Sequence, residues 1–407
     1  MRIFNTYGSE YDLAIAFATM LIDARSVHST ELKDFLDKTY GGKTYLTYQG
    51  REALLIGLKL LQLPKNSLVA VTGFTTAAME KTLEKAGLKP VYLDIDDGLN
   101  FSSAELKKKL KDYPKIKAVI VQNTLGFPAQ IQAIAKICKE KKIYLIEDLA
   151  QSLGTVYDDK TKAGRVGDLV TLSFGKNKVV DAVSGGALIV RSRVLRRKPL
   201  DEVLVQHDVK APQQMRERFY PVWMLIIRTT YNIYLGRILD WLGNFELPTF
   251  FKAKTEMRFY ALPHWQAGLA MNGLIDFQAM NDHRQKIVDV YMKNINASYL
   301  PMSKNFKNSA LLRFYILVPT SSRDGLLAFL DKHNFTLYDT WYTAPVQAEN
   351  GEKSTYELGS CPKSEEVCKQ IINLPTHRNI SEGQALALSQ LINDYLSMSM
   401  REKENNS

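Results

Sequence analysis

Cysteine is scarce in this chain. Its 407 residues include only three, Cys138, Cys361 and Cys368, and no two of them form a CxxC pair. An odd count without that pairing argues against a disulfide framework or a zinc site and fits a reducing cytoplasm. No metal site is expected. Long apolar runs are missing too, since nothing approaches the roughly 20 residues that a membrane span needs. The opening MRIFNTYGSEYD lacks a basic-then-apolar signal pattern, so a cytoplasmic location is the expectation. Internal repeats and low-complexity segments are absent. Acidic residues are in deficit, 43 against 53 Lys and Arg, for a net charge of +10. That balance favours anionic partners such as phosphates, nucleotides or an acidic membrane surface. The basic residues are spread over many helical faces, where solvation accounts for most of them, and no nucleic-acid partner is expected.

Apolar residues are plentiful, at 45% of the chain, and the length suits a large domain with a smaller one. From Thr44 to Arg191 strand and helix patterns alternate. Strand candidates are Thr44–Gln49, Ser67–Thr72, Pro90–Ile95, Ala118–Gln122, Ile143–Glu147, Leu169–Phe174 and Ala187–Val190. Runs such as Ala118-Val119-Ile120-Val121 read as strands buried on both faces. Amphipathic stretches such as Glu52–Leu63 and Ala77–Ala86 lie between them and fit right-handed crossovers. The fold class is therefore α/β, with a mainly parallel seven-stranded sheet flanked by helices and a smaller C-terminal α/β domain. A helical pattern around Trp265–Tyr291, a strand at Leu312–Val318 and a helix near Glu382–Met398 mark that second domain. The expected division is 1–200 for the large domain, 201–254 for an aromatic and basic insertion, 255–398 for the small domain and 399–407 for a disordered tail.

Chemistry belongs beyond the carboxyl ends of such strands. Asp148 ends one of them, in IYLIEDLAQS. Ser173 ends another and is followed by GKNK, which closes on Lys178. The pair Gly185-Gly186 opens the next strand. A buried carboxylate, a lysine and a phosphate cradle together suit pyridoxal phosphate. The carboxylate keeps the pyridine nitrogen protonated, and the lysine amine bonds the aldehyde and then shuttles a proton. Backbone amides at Gly50-Arg51-Glu52 and the Ser173 hydroxyl would take the phosphate. By spacing alone, an Asp such as Asp148 is more often a helix cap and a Lys such as Lys178 is usually a solvated loop lysine.

At these residues the chain resembles the DegT/DnrJ/EryC1/StrS family of sugar aminotransferases, of type I aminotransferase fold, from about Phe17 to about Tyr395. STELKDFLDKTYGGKTYLTYQGREAL resembles the family's entry segment and phosphate-loop helix. NTLGFPAQIQAI resembles its H-x-Y-G-x-P-A stretch, and IEDLAQSLG its E-D-A-A-Q-x-x-G. GRVGDLVTLSFGKNKVVDAVSGGALIV resembles its G-D-x-x-x-F-S-F…K…G-G block, in a register that puts the lysine on Lys178 and not on Lys176. LPHWQAGLAMNGL and VCKQIINLPTHRNIS resemble the opening and the last strand of its small domain.

The resemblance implies pyridoxal 5'-phosphate as cofactor, covalently held by Lys178. Asp148 would sit at the pyridinium, Gln151 at the ring hydroxyl, and Ser173 at the phosphate with the amides of Gly50, Arg51 and Glu52. It also implies a homodimer, a nucleotide-linked keto-sugar as acceptor, and an amino-acid donor such as glutamate. Three positions depart from the pattern. Thr76 stands where an aromatic usually stacks on the cofactor, Asn123 where the family has His, and Phe259 where a partner-subunit Asn reaches the phosphate. Two rivals stay open: another reaction with the same cofactor, such as sugar dehydration, against which Lys178 counts, and a non-catalytic binding or regulatory protein on the same fold.

The segment Phe219–Phe251 has no counterpart in that resemblance. Trp223, Ile226, Ile227, Tyr234, Ile238, Trp241 and Leu242 form one stripe at helical spacing, preceded by Arg216 and Arg218. The expectation is a surface amphipathic or hairpin element bordering the active site. It would contact either the partner subunit or an anionic membrane surface on the inner leaflet, with Arg228 and Arg237 reaching for phosphates.

Overall fold

The computed structural model describes residues 2–198, 206–242, 259–302, 306–307, 309–337 and 354–405. Residues 243–251 of the aromatic segment lie outside them. β1 (Ile3–Phe4) is followed by α1 (Leu13–Leu21), α2 (Val27–Tyr40), β2 (Lys43–Thr47) and α3 (Gly50–Leu60). Then β3 (Leu68–Thr72), α4 (Ala77–Lys85), β4 (Lys89–Leu93), α5 (Ser103–Asp112), β5 (Ile116–Val121) and α6 (Ile131–Lys141) alternate. β6 (Tyr144–Asp148), β7 (Leu169–Ser173) and β8 (Gly186–Val190) complete one sheet of order β2-β8-β7-β6-β5-β3-β4. All seven predicted strands fall in it.

The sheet is parallel at β3–β4, β3–β5, β5–β6 and β6–β7, and antiparallel where β8 meets β2 and β7. The reversal of β8 decides the geometry of the site. It brings the start of β8 beside the end of β7, with Ser173 facing Gly186, and the end of β2 beside both, with Thr47 facing Gly186. Asp148 pairs with Thr171 one strand over. Four chain segments thus converge on one edge.

Strand residues alternate between two cores. Val119 and Val121 join α2, α5 and α6 on one face, while Ala118 and Ile120 join α3 and α4 on the other. This is a sheet buried on both faces, as the uninterrupted apolar runs require. Helix ends follow local chemistry. Asp12 accepts from the Ile15 N–H at 2.8 Å to start α1, and Ser102 accepts from the Glu105 N–H at 3.1 Å to start α5, which ends on Lys109 and Lys111.

Beyond the sheet come β9 (Gln206–His207), α7 (Ala211–Thr230), a further helix α8 at 235–242, and β10 (Phe259–Tyr260), which pairs with β9. The helical pattern at Trp265–Tyr291 is two helices, α9 (His264–Ile275) and α10 (Phe277–Asn294), broken at Asp276. Trp265, Leu269 and Ala270 of α9 pack into the large core, whereas Ile287, Val288 and Tyr291 of α10 pack into a separate C-terminal core. The two cores therefore divide near Asp276.

That second core gathers β11 (Phe314–Leu317), α11 (Thr320–Lys332), β12 (Phe335–Thr336), α12 (Pro362–Gln370), β13 (Ile371–Leu374) and α13 (Glu382–Asn405). β11 pairs antiparallel with β13, and β1 crosses from the chain start to pair with β12. Helix α13 continues to Asn405, through residues whose composition had marked them as a disordered tail. Met, Arg, Glu and Lys are good helix formers, and they prolong a helix already nucleated by packing.

Candidate active site

Asp148 is the last residue of β6, and its side chain is buried. Its Oδ1 accepts from the Ala150 N–H at 3.1 Å and from the Thr171 hydroxyl at 3.0 Å. Burial raises its carboxyl above the ordinary range. The two hydrogen bonds and the Lys178 ammonium oppose this without cancelling it. Lys178 itself sits half-buried on the turn after β7, its N–H donating to the Gly175 carbonyl at 3.3 Å. The structure thus brings the two residues within electrostatic reach of each other at the sheet edge.

The turn that carries Lys178 is braced by a residue the sequence reading passed over. Asp181 accepts from the Asn177 N–H at 2.7 Å and the Val183 N–H at 2.8 Å, and the Tyr11 hydroxyl donates to it. Burial pushes the Asp181 carboxyl up to about 7. Asn177 and Val183 both have positive φ, +61° and +68°, a conformation that a β-branched residue adopts only under constraint. Nothing in the local sequence marks Asp181, because its main anchor, Tyr11, lies far away in the chain.

Lys176 points elsewhere. Its ammonium lies 4.0 Å from the centre of the Tyr220 ring, and burial lowers its pKa to about 8 against the pull of Glu217 and Asp181. Glu217 comes from α7 and is buried. It takes hydrogen bonds from Tyr48, from Ser184 at 3.2 Å and from Gln266 at 2.8 Å. Helix α7 therefore abuts the lysine turn directly.

The cradle lies where β2 runs into α3. A Cβ on Gly50 would come within 2.7 Å of the Ser173 Cβ, and one on Gly186 within 2.6 Å of the Gly50 nitrogen. Glycine at both places lets three backbone segments approach as closely as side chains normally do. Arg51 is exposed on the first turn of α3. The backbone of Gln49, Tyr260 and Tyr48 favours the charged Glu52 carboxylate, but burial outweighs it and pushes the carboxyl up to about 7, with Oε2 buried and without a hydrogen-bond partner among the described residues. A carboxyl about half protonated at neutrality repels a neighbouring phosphate less than a fully ionised one.

Gln151 is buried, with its side-chain carbonyl taking the Leu125 N–H at 3.1 Å. Thr76 stands at the N-terminus of α4, half-buried, with no ring to offer. Asn123 is fully buried at a φ of +50°, donating to the Tyr157 hydroxyl at 3.0 Å and accepting from the Ala129 N–H at 2.9 Å. It is a structural brace whose left-handed backbone suits Asn. Phe259 packs into the core of its own chain, beside α3. The donor set of buried carboxylate, lysine and glycine-lined cradle fits pyridoxal phosphate.

Comparison with known proteins identifies the family and the fold. The DegT/DnrJ/EryC1/StrS aminotransferase family matches residues 29–390. GDP-perosamine synthase of Vibrio cholerae is 24% identical over 357 residues, which are 85% of this chain and 84% of that one. A DegT DnrJ EryC1 StrS aminotransferase from Brucella abortus superposes with a TM-score of 0.70 at 20% identity, over 94% of this chain and 95% of that chain. NtdA of Bacillus subtilis, solved with its cofactor PMP bound, superposes with a TM-score of 0.69 at 18% identity, over 96% of this chain and 84% of that chain. The chain belongs to the DegT/DnrJ/EryC1/StrS aminotransferase family, whose cofactor is pyridoxal 5'-phosphate.

Proposed function

We propose that this aminotransferase moves an amino group from an amino-acid donor, glutamate foremost, to a keto-sugar carried on a nucleotide diphosphate. The observation that carries the reading is the pairing of buried Asp148 with Lys178 at the carboxyl edge of the sheet. The family match and the likeness to a GDP-sugar enzyme support the acceptor class. The positive net charge suits a diphosphate ligand.

Pyridoxal phosphate supplies an electron sink and a carrier for the amino group. The chain's own residues do the rest. Asp148, buried and hydrogen-bonded by Thr171 and Ala150, would hold a proton on the ring nitrogen. Ser173 and the amides of Gly50, Arg51 and Glu52 would hold the phosphate, and Gln151 would approach the ring hydroxyl. Lys178 would hold the cofactor covalently, and its Nζ, once released, would carry a proton from the donor carbon and deliver one to the acceptor carbon. Asp181 acts on this lysine only by shaping its turn.

The protein works as a cytoplasmic homodimer in this reading. Because Phe259 is committed to its own core, the neighbour's contribution to the phosphate is apolar or absent. Light scattering on the active protein tests the assembly, and a strict monomer with full activity contradicts it. The reaction is tested by incubating cofactor-loaded protein with glutamate and a panel of keto-sugar nucleotides. Acceptor-dependent 2-oxoglutarate supports the proposal. Absence of acceptor-dependent release of the donor's 2-oxo acid with every acceptor and every amino donor sinks it.

A further inference from the structure

Helix α1 inverts the usual pattern of a surface helix. Its sequence, LAIAFATML, contains no charged residue. Its inner side, Ala16 and Thr19, packs inward, while Leu13, Phe17 and Leu21 face solvent at 69%, 61% and 81% exposure. The Arg218 guanidinium, from α7, donates to the Thr19, Met20 and Ile22 carbonyls at the end of α1 and fixes the two helices together. Helix α7 continues the apolar face with Phe219, Trp223 and Ile226, at intervals of four and three. Ile233, Tyr234, Leu235, Ile238, Trp241 and Leu242 extend it through α8. Between α1 and α7 opens a cleft of about 600 Å³, walled by Phe17, Met20, Val222, Leu225 and Ile226.

The exposed charges of α7 and α8 have one sign, while Asp12, which lines the cleft, is paired with Arg378 at 3.1 Å. Residues 211–242 contain two carboxylates, and both turn inward, Glu217 into its buried cluster and Asp240 to the Tyr7 hydroxyl at 2.8 Å. The cations are all arginines. Arg228, expected from the sequence to reach outward, instead donates to the Tyr11 carbonyl, and burial lowers its pKa to about 10. Arg216 and Arg237 are exposed, the latter alongside the Tyr231 and Tyr234 rings at 5.1 and 4.9 Å.

We propose that α1, α7 and α8 form a docking surface for an anionic lipid bilayer, with the cleft receiving acyl chains. No described helix is long and apolar enough to cross a membrane, so the face lies on the surface. A second copy of the chain suits it less well. A two-fold contact sets the same patch against itself, and the carboxylates beside it, Asp12 and Asp23, are already paired with Arg378 and with Arg25 and His28, so Arg237 would gain little there. A bilayer supplies hydrocarbon for the aliphatic side chains, a headgroup zone for two indoles, and phosphates for the arginines. Because α7 also delivers Glu217 to the lysine turn, docking would set the active site close to the membrane.

The test uses the full-length, cofactor-loaded protein sedimented with phosphatidylcholine vesicles, with and without phosphatidylglycerol. Binding is expected only to the phosphatidylglycerol vesicles, falling as salt rises. The double variant Phe17→Ser, Trp223→Ser should bind at least about tenfold more weakly. Both positions are exposed, so its near-ultraviolet circular dichroism and its turnover of soluble substrate should match the wild type. Binding to neither vesicle, or equal and salt-insensitive binding to both, overturns the proposal. So does a double variant that binds vesicles normally but changes the oligomeric mass, which assigns the face to a subunit contact. Turnover is read separately, so failure here is distinguishable from failure of the aminotransferase reading.

Discussion

Replacing Gly50 by alanine probes the cradle with the least change in chemistry. The added Cβ would lie 2.7 Å from the Ser173 Cβ, 3.0 Å from its Oγ and 3.2 Å from the Leu172 carbonyl oxygen. Comfortable carbon contacts start at about 3.5 Å, so the start of α3 and the end of β7 must part by nearly ~1 Å. Neither side yields easily. Ser173 is paired with Gly186 in the ladder, and Gly186 in turn presses on the Gly50 nitrogen. Overpacking of this kind costs about 1–3 kcal/mol. Because the amides at Gly50 are assigned to the phosphate, cofactor affinity should fall by about tenfold or more, the equivalent of ~1.4 kcal/mol. Urea unfolding of the cofactor-free protein reads the first quantity, and absorbance titration with pyridoxal phosphate reads the second. The double variant Gly50→Ala, Ser173→Gly removes the nearest atom and should recover stability while leaving cofactor affinity weak. Gly50→Ala with wild-type stability and wild-type affinity would refute the cradle.

Asp148→Asn keeps the size of the side chain and removes its charge; cofactor should still bind while kcat falls by two to three powers of ten, about 2.7–4 kcal/mol, and near-normal turnover removes Asp148 from its role. Glu52 makes stability depend on pH. Its folded pKa of about 7 lies above the ordinary 4.5, so the folded state holds the proton more tightly, and stability is lost as pH rises from 4.5 through 7. The loss is at most about 3 kcal/mol, and urea midpoints of wild type and Glu52→Gln should converge or cross over that range; parallel pH profiles contradict the assignment. Asn123→Ala strands the buried Ala129 N–H and should cost about 1–3 kcal/mol in thermal or urea unfolding, whereas a loss below ~0.5 kcal/mol removes the brace.

The strands were legible because a sheet covered on both faces needs unbroken apolar runs, and Ile116–Val121 or Gly186–Val190 contain little else. The position of Lys178 on the turn between Ser173 and the glycine pair was legible in the sequence, while its assigned role came from the family resemblance. The bracing of that turn was not. Tyr11 and Asp181 meet across 170 positions, and Tyr48 and Glu217 across 169, distances over which no local pattern operates. Arg228 shows the same limit. An arginine amid apolar residues reads as a cation reaching out to phosphate, yet the Tyr11 carbonyl claims it. The break at Asp276 was hidden because α9 and α10 share one continuous helical pattern, and only their packing on different cores separates them.

The central claim is that Lys178 alone carries the cofactor. Borohydride reduction of the loaded protein, followed by proteolysis and mass mapping, tests it most directly. The account predicts a reduced pyridoxyl group on the peptide bearing Lys178, its loss in Lys178→Ala, and its retention in Lys176→Ala, because the Lys176 ammonium lies over the Tyr220 ring beside Glu217. A label on Lys176, or one that survives Lys178→Ala, would contradict it.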